Sequence, residues 1–217
     1  CAHSCVGRIR YMGVLLYDAD LIQWAAEGPK EELFDRQDQL ILDPFDPAVI
    51  AAAKANGIDD GWIASAQNSP AYKFVKEWKL ALPLHAEYRT IAMMFYIPPL
   101  SPVVSTIEEG LVRLDISPEQ VDFELFQGLE KARLPIKYLA NLFSAGNEEV
   151  IEKILRKMLA VRIYKRRESV EGVIDEATLA MIESAGTTPE EIEAIYRMTT
   201  LPTIQERFVF PPYHREM

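Results

Sequence analysis

Hydrophobic residues recur at helical spacing along most of the chain, whereas the apolar runs that suit strands are short. The clearest amphipathic helix is predicted over Asn147–Arg167, with acidic residues at its start and basic residues at its end, as the helix dipole favours. Its apolar stripe comprises Val150, Ile151, Ile154, Leu155, Met158, Leu159 and Val161. A stripe of this width predicts a helix that packs one face into a core.

Capping residues and helix breakers predict further helices. Asp46-Pro47 and Ser69-Pro70 each place a capping residue before proline, which is the order that opens a helix. Ser117-Pro118-Glu119-Gln120 and Thr188-Pro189-Glu190-Glu191 both have the pattern of a capping box. Together with the breakers at Gly28-Pro29 and Gly57, these signals predict helices over Asp18–Glu27, Glu31–Leu40, Ala48–Asn56 and Asp59–Gln67, and one from Ser69.

Two stretches have the composition of strands. Val6–Tyr17 predicts one or two short strands, and Ile91–Ile97 predicts another. The proline-rich run Pro98–Pro102 cannot continue a ladder and is a candidate for an extended arm on another subunit. The predicted fold class is therefore mainly α with a minor β component (α+β).

Charge and hydropathy exclude several classes of function. The 217 residues include 23 basic and 33 acidic side chains, for a net charge of −10. Binding to duplex nucleic acid or anionic lipid needs clustered positive charge, so no nucleic-acid partner is predicted. No apolar run approaches the roughly 18 residues of a membrane span, and no signal peptide is visible. The chain begins with Cys1 rather than methionine, so we expect a fragment of a longer protein.

Cys1 and Cys5 are the only cysteines, spaced as C-x3-C. On a helix this spacing separates the side chains by about 5–6 Å, which is too far for a relaxed disulfide, since its Cβ atoms lie roughly 3.5–4.5 Å apart. Two ligands also leave a tetrahedral zinc site incomplete. The same spacing ends the ferredoxin run C-x2-C-x2-C-x3-C-P, but Val6 replaces its proline. The pair by itself is compatible with structural thiols and with iron–sulfur ligands.

Arg8 and Arg10 follow Cys5 closely. Positive charge lowers the pKa of a nearby thiol and favours the reduced state of a nearby cluster. By one interpretation, both arginines therefore lie beside a redox site. They also alternate with Val6, Ile9 and Tyr11, as outward-facing residues of a strand do. Both interpretations stay open at this point.

Other catalytic constellations are absent from the sequence. His85-Ala86-Glu87 resembles the H-x-E of zinc deaminases, but the P-C-x-x-C that those enzymes need does not follow. No G-x-S-x-G and no glycine-rich phosphate loop occurs.

The helix predicted over 147–167 carries a cluster of six basic residues. This basic cluster is either a solvated face or a docking surface for an acidic partner. Its members are Arg156, Lys157, Arg162, Lys165, Arg166 and Arg167.

Blocks of sequence, in order, resemble the iron–sulfur β subunit of respiratory nitrate reductases. The likeness begins at Cys5–Tyr11 and Gly13–Asp20 and is strongest in the blocks around Trp78 and the proline-rich run. It spans nearly the whole chain, with a looser patch over Ser105–Arg133. The other blocks are Leu42–Pro47, Ser69–Lys73, Glu77–His85, Glu87–Thr90, Tyr96–Pro102, Leu134–Ile136, Tyr138–Leu142, Tyr164–Arg166 and Glu206–Val209.

This resemblance implies an electron-transfer subunit without substrate chemistry of its own. It implies that the intact subunit carries three 4Fe-4S clusters and one 3Fe-4S cluster. Electrons would pass through them from a haem b membrane (γ) subunit that oxidises quinol to a molybdenum-containing α subunit that reduces nitrate. Cys1 and Cys5 match the last two cysteines of the family set, which gives partial ligand sets for two 4Fe-4S clusters. Arg8 and Arg10 become candidates for tuning residues beside them.

The resemblance also implies an organisation and a location. Residues 1–17 would be the tail end of a ferredoxin-like iron–sulfur module, and residues 18–217 a mostly helical C-terminal scaffold that contacts partner subunits. The expected location is the cytoplasmic face of the cell membrane, with the chain held peripherally in a complex. Two alternatives stay open. One is the β subunit of a nitrite oxidoreductase, in which electrons pass through the same clusters in the opposite direction. The other is a metal-free helical interaction domain.

Overall fold

The computed structural model describes residues 11–83, 95–96 and 136–210. Within these ranges helices dominate, which confirms the predicted mainly α class. The minor β component is a two-stranded antiparallel ladder of β1 (Leu82–Pro83) and β2 (Phe95–Tyr96). Leu82 pairs with Tyr96, and Pro83 with Phe95. The strand predicted over Ile91–Ile97 is thus confirmed at Phe95–Tyr96, and its remainder lies outside the described residues.

The chain divides into two compact units. The first comprises Cys1–Ile97 and Pro202–Met217, and the second Pro98–Leu201. The helices of the first unit are α1 (Leu21–Glu27), α2 (Leu33–Leu40), α3 (Pro47–Ala55), α4 (Asp60–Gln67) and α5 (Pro70–Tyr72), joined later in the chain by α10 (Ile204–Arg207). Those of the second unit are α6 (Ile136–Phe143), α7 (Glu148–Arg166), α8 (Glu176–Ser184) and α9 (Pro189–Thr200). The predicted module boundary between residues 17 and 18 stays a prediction.

Helices in the first unit start where the capping signals predict. The Asp46 carboxylate accepts from the Ala48 N–H at 2.8 Å, with Pro47 at the first helical position of α3. The Asp59 carboxylate caps α4 in the same way, at 2.9 Å from the Trp62 N–H. The helix predicted from Ser69 opens as α5 and continues as a π-turn over Lys73–Glu77, but the Ser69 hydroxyl, against the prediction, forms no capping hydrogen bond with any described residue. These caps satisfy backbone donors that the first turn of a helix otherwise leaves free.

The first unit buries its core around the π-turn. Phe74 is 1% exposed and Trp78 3% exposed, and Leu80 is fully buried beside them. A π-turn adds one residue to the turn, and here the Trp78 N–H donates to the Lys73 carbonyl at 2.7 Å. Other buried members of this core are Ala25, Leu40, Ile63 and Ala66.

Helix α7 is the centre of the second unit, with α6, α8 and α9 packed against it. Six residues of its predicted stripe are buried, and Val150 is half-buried. Asn147 caps the helix by accepting from the Val150 N–H, as its position before the stripe predicts. A second π-turn, Arg167–Glu171, ends α7 before Gly172, whose φ is +69°.

The cap of α9 is confirmed, since the Thr188 hydroxyl accepts from the Glu191 N–H. The Glu191 carboxylate lies against the Thr187 hydroxyl, 3.1 Å away, and against Lys157. A complete capping box occurs at Thr203 and Glu206, where the sequence analysis did not predict one. The box predicted at Ser117 lies outside the described residues.

The strands predicted over Val6–Tyr17 do not form within residues 11–17. Met12 makes an isolated parallel bridge to Phe208, and Tyr17 an isolated antiparallel bridge to Ile41. The physical reason is that the two ends of this segment pair with different neighbours, so no ladder extends beyond one residue. Val6–Arg10 lie outside the described residues.

Candidate functional site

The predicted cluster residues Cys1, Cys5, Arg8 and Arg10 lie outside the described residues. Their assignments therefore stay predictions. Two thiolates suit iron chemically, but a four-iron cluster takes four such ligands. Across residues 11–83, 95–96 and 136–210, no group of three or more His, Cys, Asp or Glu is placed to hold a metal ion. The described part that bears most directly on Cys5 is the segment that follows it.

We call Tyr11–Tyr17 the anchor segment. At its start, the Met12 N–H donates to the Arg207 carbonyl at 3.1 Å, and the Met12 carbonyl accepts from the Val209 N–H at 2.9 Å. These bonds attach the anchor segment to the chain directly after α10. A pair of main-chain hydrogen bonds to a neighbouring segment holds a register as a strand pair does.

The other end of the anchor segment is attached to the chain at the end of α2. The Leu16 carbonyl accepts from the Leu42 N–H at 2.8 Å. Directly beyond the segment, the Asp18 N–H donates to the Leu40 carbonyl at 3.0 Å. The stretch that follows the predicted cluster ligands is thereby hydrogen-bonded at both ends to the helical unit.

Aromatic side chains fasten the anchor segment to the core of the same unit. The Tyr11 and Phe74 ring centroids are 4.7 Å apart, and the Phe74 ring meets the Trp78 ring edge-on at 5.0 Å. The Arg207 guanidinium lies 5.7 Å from the Tyr11 ring centroid. Aromatic pairs at such separations stabilise by about 0.5–1.5 kcal/mol beyond their buried area.

Gly13 makes the closest approach between the anchor segment and the helices. A Cβ atom at position 13 would lie 2.1 Å from the Ser69 Oγ and 3.0 Å from the Pro70 Cδ. Ser69 is fully buried, and its hydroxyl has no hydrogen-bond partner among the described residues. Only glycine permits this approach of backbone to side chain.

A partly buried hydrogen bond joins the turn before α3 to α5. The Tyr72 hydroxyl donates to the Asp43 carboxylate at 2.8 Å, and the same carboxylate accepts from the Phe45 N–H at 2.9 Å. Burial, together with this hydrogen bond and the charge of Asp43, raises the pKa of Tyr72 well above its usual range. Tyr72 therefore stays protonated and serves as a structural donor.

A cleft of about 610 Å³ lies between the anchor segment and α3. Its floor and walls are mostly aliphatic, and its polar lining consists of Asp18, Asp20 and Asn56 with the Tyr17 hydroxyl group. The aliphatic residues include Leu15, Leu16, Leu42, Val49, Ala53 and Ile58. Such a concave apolar surface with a few polar groups is typical of a binding site.

The basic cluster on α7 is paired within the chain. The Arg156 guanidinium contacts Glu152 at 2.5 Å, and Lys157 contacts Glu191. Lys165 lies between Glu168 and Glu193, the latter at 2.6 Å, and its side chain is only 12% exposed. Arg167 contacts Asp175 at 2.7 Å. Four of the six cations of the cluster therefore have acidic partners within the chain, so their charge is partly neutralised where they lie.

These pairs shift two ionisation equilibria. Burial lowers the pKa of Lys165, but the hydrogen bonds and charges of Glu168 and Glu193 outweigh it and leave that pKa raised. Hydrogen bonds from the Thr178 hydroxyl and N–H, aided by Arg167, lower the pKa of Asp175 to about 2. Both groups are charged at neutral pH and act as structural ions.

The anchor contacts and the cleft were not predicted from the sequence, although the blocks of family resemblance contained a signal. Tyr11 and Gly13 belong to blocks at the start of the chain, whereas Arg207 belongs to the last block. Asp43 and Tyr72 belong to two other blocks, and their side chains meet. These blocks of family resemblance are far apart in the sequence, but they are in contact with one another in the first unit.

No helix within the described ranges is long and apolar enough to cross a membrane.

Comparisons with known proteins identify relatives along the full chain. The family described as "Respiratory nitrate reductase beta C-terminal" matches residues 100–188. The respiratory nitrate reductase 1 β chains of Shigella flexneri and Escherichia coli (strain K12) are each 45% identical over 218 residues, which cover 100% of this chain and 40% of the relative. The nitrate reductase β chain of Bacillus subtilis (strain 168) is 43% identical over 217 residues, which cover 100% of this chain and 43% of the relative. The chain thus spans about two fifths of the length of these relatives.

Proposed function

The chain belongs to the family of respiratory nitrate reductase β chains, and we propose that it is part of an iron–sulfur electron-transfer subunit in a molybdenum-dependent quinol:nitrate oxidoreductase. In this proposal the intact subunit holds three 4Fe-4S clusters and one 3Fe-4S cluster. They relay electrons from a haem b membrane γ subunit to a catalytic α subunit. The complex lies on the cytoplasmic face of the membrane and serves anaerobic nitrate respiration.

Within this chain, Cys1 and Cys5 are the residues that we assign to the clusters, one thiolate to each of two 4Fe-4S clusters. Iron–sulfur clusters accept and donate single electrons, with potentials that charge, hydrogen bonds and burial around the sulfurs adjust. Arg8 and Arg10 follow Cys5 and would favour the reduced form through their positive charge.

The observation that carries this proposal is the attachment of the anchor segment. Met12, seven residues after Cys5, and Leu16 are bonded through their main chain to two separate parts of the helical unit. Tyr11 adds a ring contact to the buried Phe74. These contacts join the chain that follows the predicted ligands to a packed core, and ligands to a redox centre need such support from the surrounding structure.

The test uses the purified complex that contains the full-length β chain. We compare Cys5→Ser with Ser4→Ala, a change of similar size at the neighbouring residue. Cys5→Ser should remove the electron paramagnetic resonance signal of one cluster, lower iron and acid-labile sulfide, and reduce quinol-dependent nitrate reduction by at least tenfold. Ser4→Ala should keep all three.

Three results would contradict the proposal. Full iron, sulfide and activity in Cys5→Ser would remove the thiolate from the cluster set. Absence of iron and sulfide from the unmodified β chain after anaerobic reconstitution would leave a metal-free interaction domain. Faster electron flow from nitrite to an oxidant than from quinol to nitrate would instead assign the subunit to a nitrite oxidoreductase.

A further inference from the structure

Negative charge is concentrated in one part of the chain. Residues 18–60 contain eleven acidic and three basic side chains, so this stretch has a net charge of −8 against −10 for the whole chain. The same stretch supplies most of the cleft lining, including helix α3 and the acidic residues beside the anchor segment. A surface of one sign attracts and orients a partner of the opposite sign.

The cleft combines an aliphatic floor with an acidic mouth. Leu16 is 7% exposed at the floor, and Ala52 on α3 is exposed at the edge. The Asp20 carboxylate is exposed at the mouth and forms no ion pair with any residue in the ranges that the structure describes. Asp18 accepts the Asp20 N–H at 2.9 Å, so its carboxylate also lies at this end of the cleft. The lining therefore offers burial to an apolar side chain and negative charge to a cation beside it.

The walls of the cleft are held in place before any partner arrives. The anchor segment is bonded to Leu42, and α3 begins at a capped proline turn and is followed by Gly57, where φ is +82°. A site formed in advance loses little conformational entropy when it is occupied. This arrangement favours a preformed groove for an incoming segment.

We infer that the cleft between the anchor segment and α3 binds a segment of a partner subunit that presents an apolar side chain flanked by Lys or Arg. The inference rests on the proposed function as a subunit of a multi-subunit complex, and it adds the surface and the chemistry of one contact. The apolar side chain covers Leu15 and Leu16, and the cation meets Asp20. The occupant is a polypeptide rather than a small anion, because the polar lining is acidic.

The first experiment identifies the occupant in the purified complex. A photoreactive benzoylphenylalanine is placed at Ala52, which lines the cleft, and as a control at the exposed neighbour Ala51, which is not among its lining residues. Mass spectrometry should map the product from position 52 to a partner-subunit peptide with Lys or Arg within a few residues of the crosslink, at a yield about tenfold above position 51. Crosslinks within the same chain or to a second copy, equal yields, a peptide without basic residues, or no crosslink would each overturn the inference.

The second experiment measures how fast the complex dissociates at increasing salt. Ala52→Trp fills the cleft and should accelerate dissociation about tenfold, whereas Ala51→Trp should change it less than twofold. Asp20→Lys should act in the same direction as Ala52→Trp. Glu31→Lys makes the same charge change at an exposed site of the acidic stretch away from the cleft lining, and should have little effect. Equal behaviour of the members of either pair would contradict the inference.

Iron and sulfide content, measured in every variant, separates this inference from the proposed function. The cleft variants should keep the cluster content of the unmodified complex while losing subunit affinity. Absence of iron–sulfur clusters from the unmodified protein would contradict the electron-transfer proposal. The crosslinking experiment would still show whether the cleft binds a basic segment.

Discussion

Gly13 lies against the buried hydroxyl of Ser69, so close that a Cβ atom at position 13 would be 2.1 Å from the Ser69 Oγ. This contact places the anchor segment directly on the start of α5. The Ser69 hydroxyl has no hydrogen-bond partner among the described residues, so it contributes bulk at this point without a bond. The contact is therefore steric and testable by adding or removing single atoms.

We predict that Gly13→Ala lowers the free energy of unfolding by about 1–3 kcal/mol, because overpacking forces the backbone or Ser69 to move. Ser69→Ala alone should be close to neutral, since it removes a buried hydroxyl without a described partner. The double variant should recover part of the loss, although the Ser69 Cβ at 3.1 Å and the Pro70 Cδ at 3.0 Å remain close. Urea unfolding of the four proteins gives the coupling, and strict additivity would contradict a direct clash.

Substitution of Lys165 tests whether a half-buried ion pair stabilises the fold more than an exposed pair on the same helix. Lys165→Met removes contacts to Glu168 and Glu193 and should cost about 1 kcal/mol. Lys153→Met is the matched control, because its pair with Glu149 is 72% and 73% exposed and should contribute close to nothing. Thermal unfolding at low and high salt measures both. A similar loss in the two variants would show that burial of Lys165 adds nothing.

The lowered pKa of Asp175 predicts a specific acid response. Because the folded-state pKa is about 2 and the ordinary value is 3.8, the charged carboxylate stabilises the fold above about pH 4, and this contribution is lost as pH falls toward 2. Asp175→Asn can keep the cap on the Thr178 N–H but cannot be charged. The stability difference between the two proteins should therefore shrink between pH 4 and pH 2. Chemical unfolding across that range measures it, with Glu183→Gln on the same helix as the control. A constant difference would contradict the lowered pKa of Asp175.

The contacts of Arg36 indicate that the shape of its guanidinium, and not its charge alone, joins α1 to α2. Its guanidinium donates to the Trp24 carbonyl at 2.8 Å, contacts Glu32 through two nitrogens, and lies 4.4 Å from the Trp24 ring centroid. Arg36→Lys keeps the charge but loses the planar fork, so we expect a loss of about 1–2 kcal/mol in unfolding free energy. Lys54→Arg, at an exposed pair with Asp60, should change stability by less than about 0.5 kcal/mol. Equal effects of the two exchanges would refute a geometric role for Arg36.

Local features of the fold could be predicted well from the sequence. The predicted caps at Asp46 and Thr188 form, because a cap depends on a residue and the backbone two or three positions later, whereas the one predicted at Ser69 makes no capping hydrogen bond with any described residue. The stripe of α7 is buried for the same reason, since helical periodicity alone brings its members to one face. The family blocks led to the family that is confirmed by relatives aligned along the whole of this chain.

The basic cluster and the anchor segment show where such prediction stops. The six cations of α7 form a conspicuous run in sequence, but the Lys165 pair with Glu193 depends on how α9 lies beside α7. The strand predicted at the anchor segment fails because Met12 and Tyr17 find separate neighbours, Phe208 and Ile41. A pattern within one segment contains no information on which distant segment it meets.

The sequence by itself therefore determined the helices, their caps, the apolar face of α7 and the family. Only the tertiary structure decided that Gly13 meets Ser69, that four cations of the basic cluster pair with acidic residues, and that a cleft lined by Asp18 and Asp20 lies beside α3. The physical reason is range. Caps and stripes arise from interactions within one or two turns, whereas these contacts join residues far apart in the chain, and the packing of whole helices brings them together.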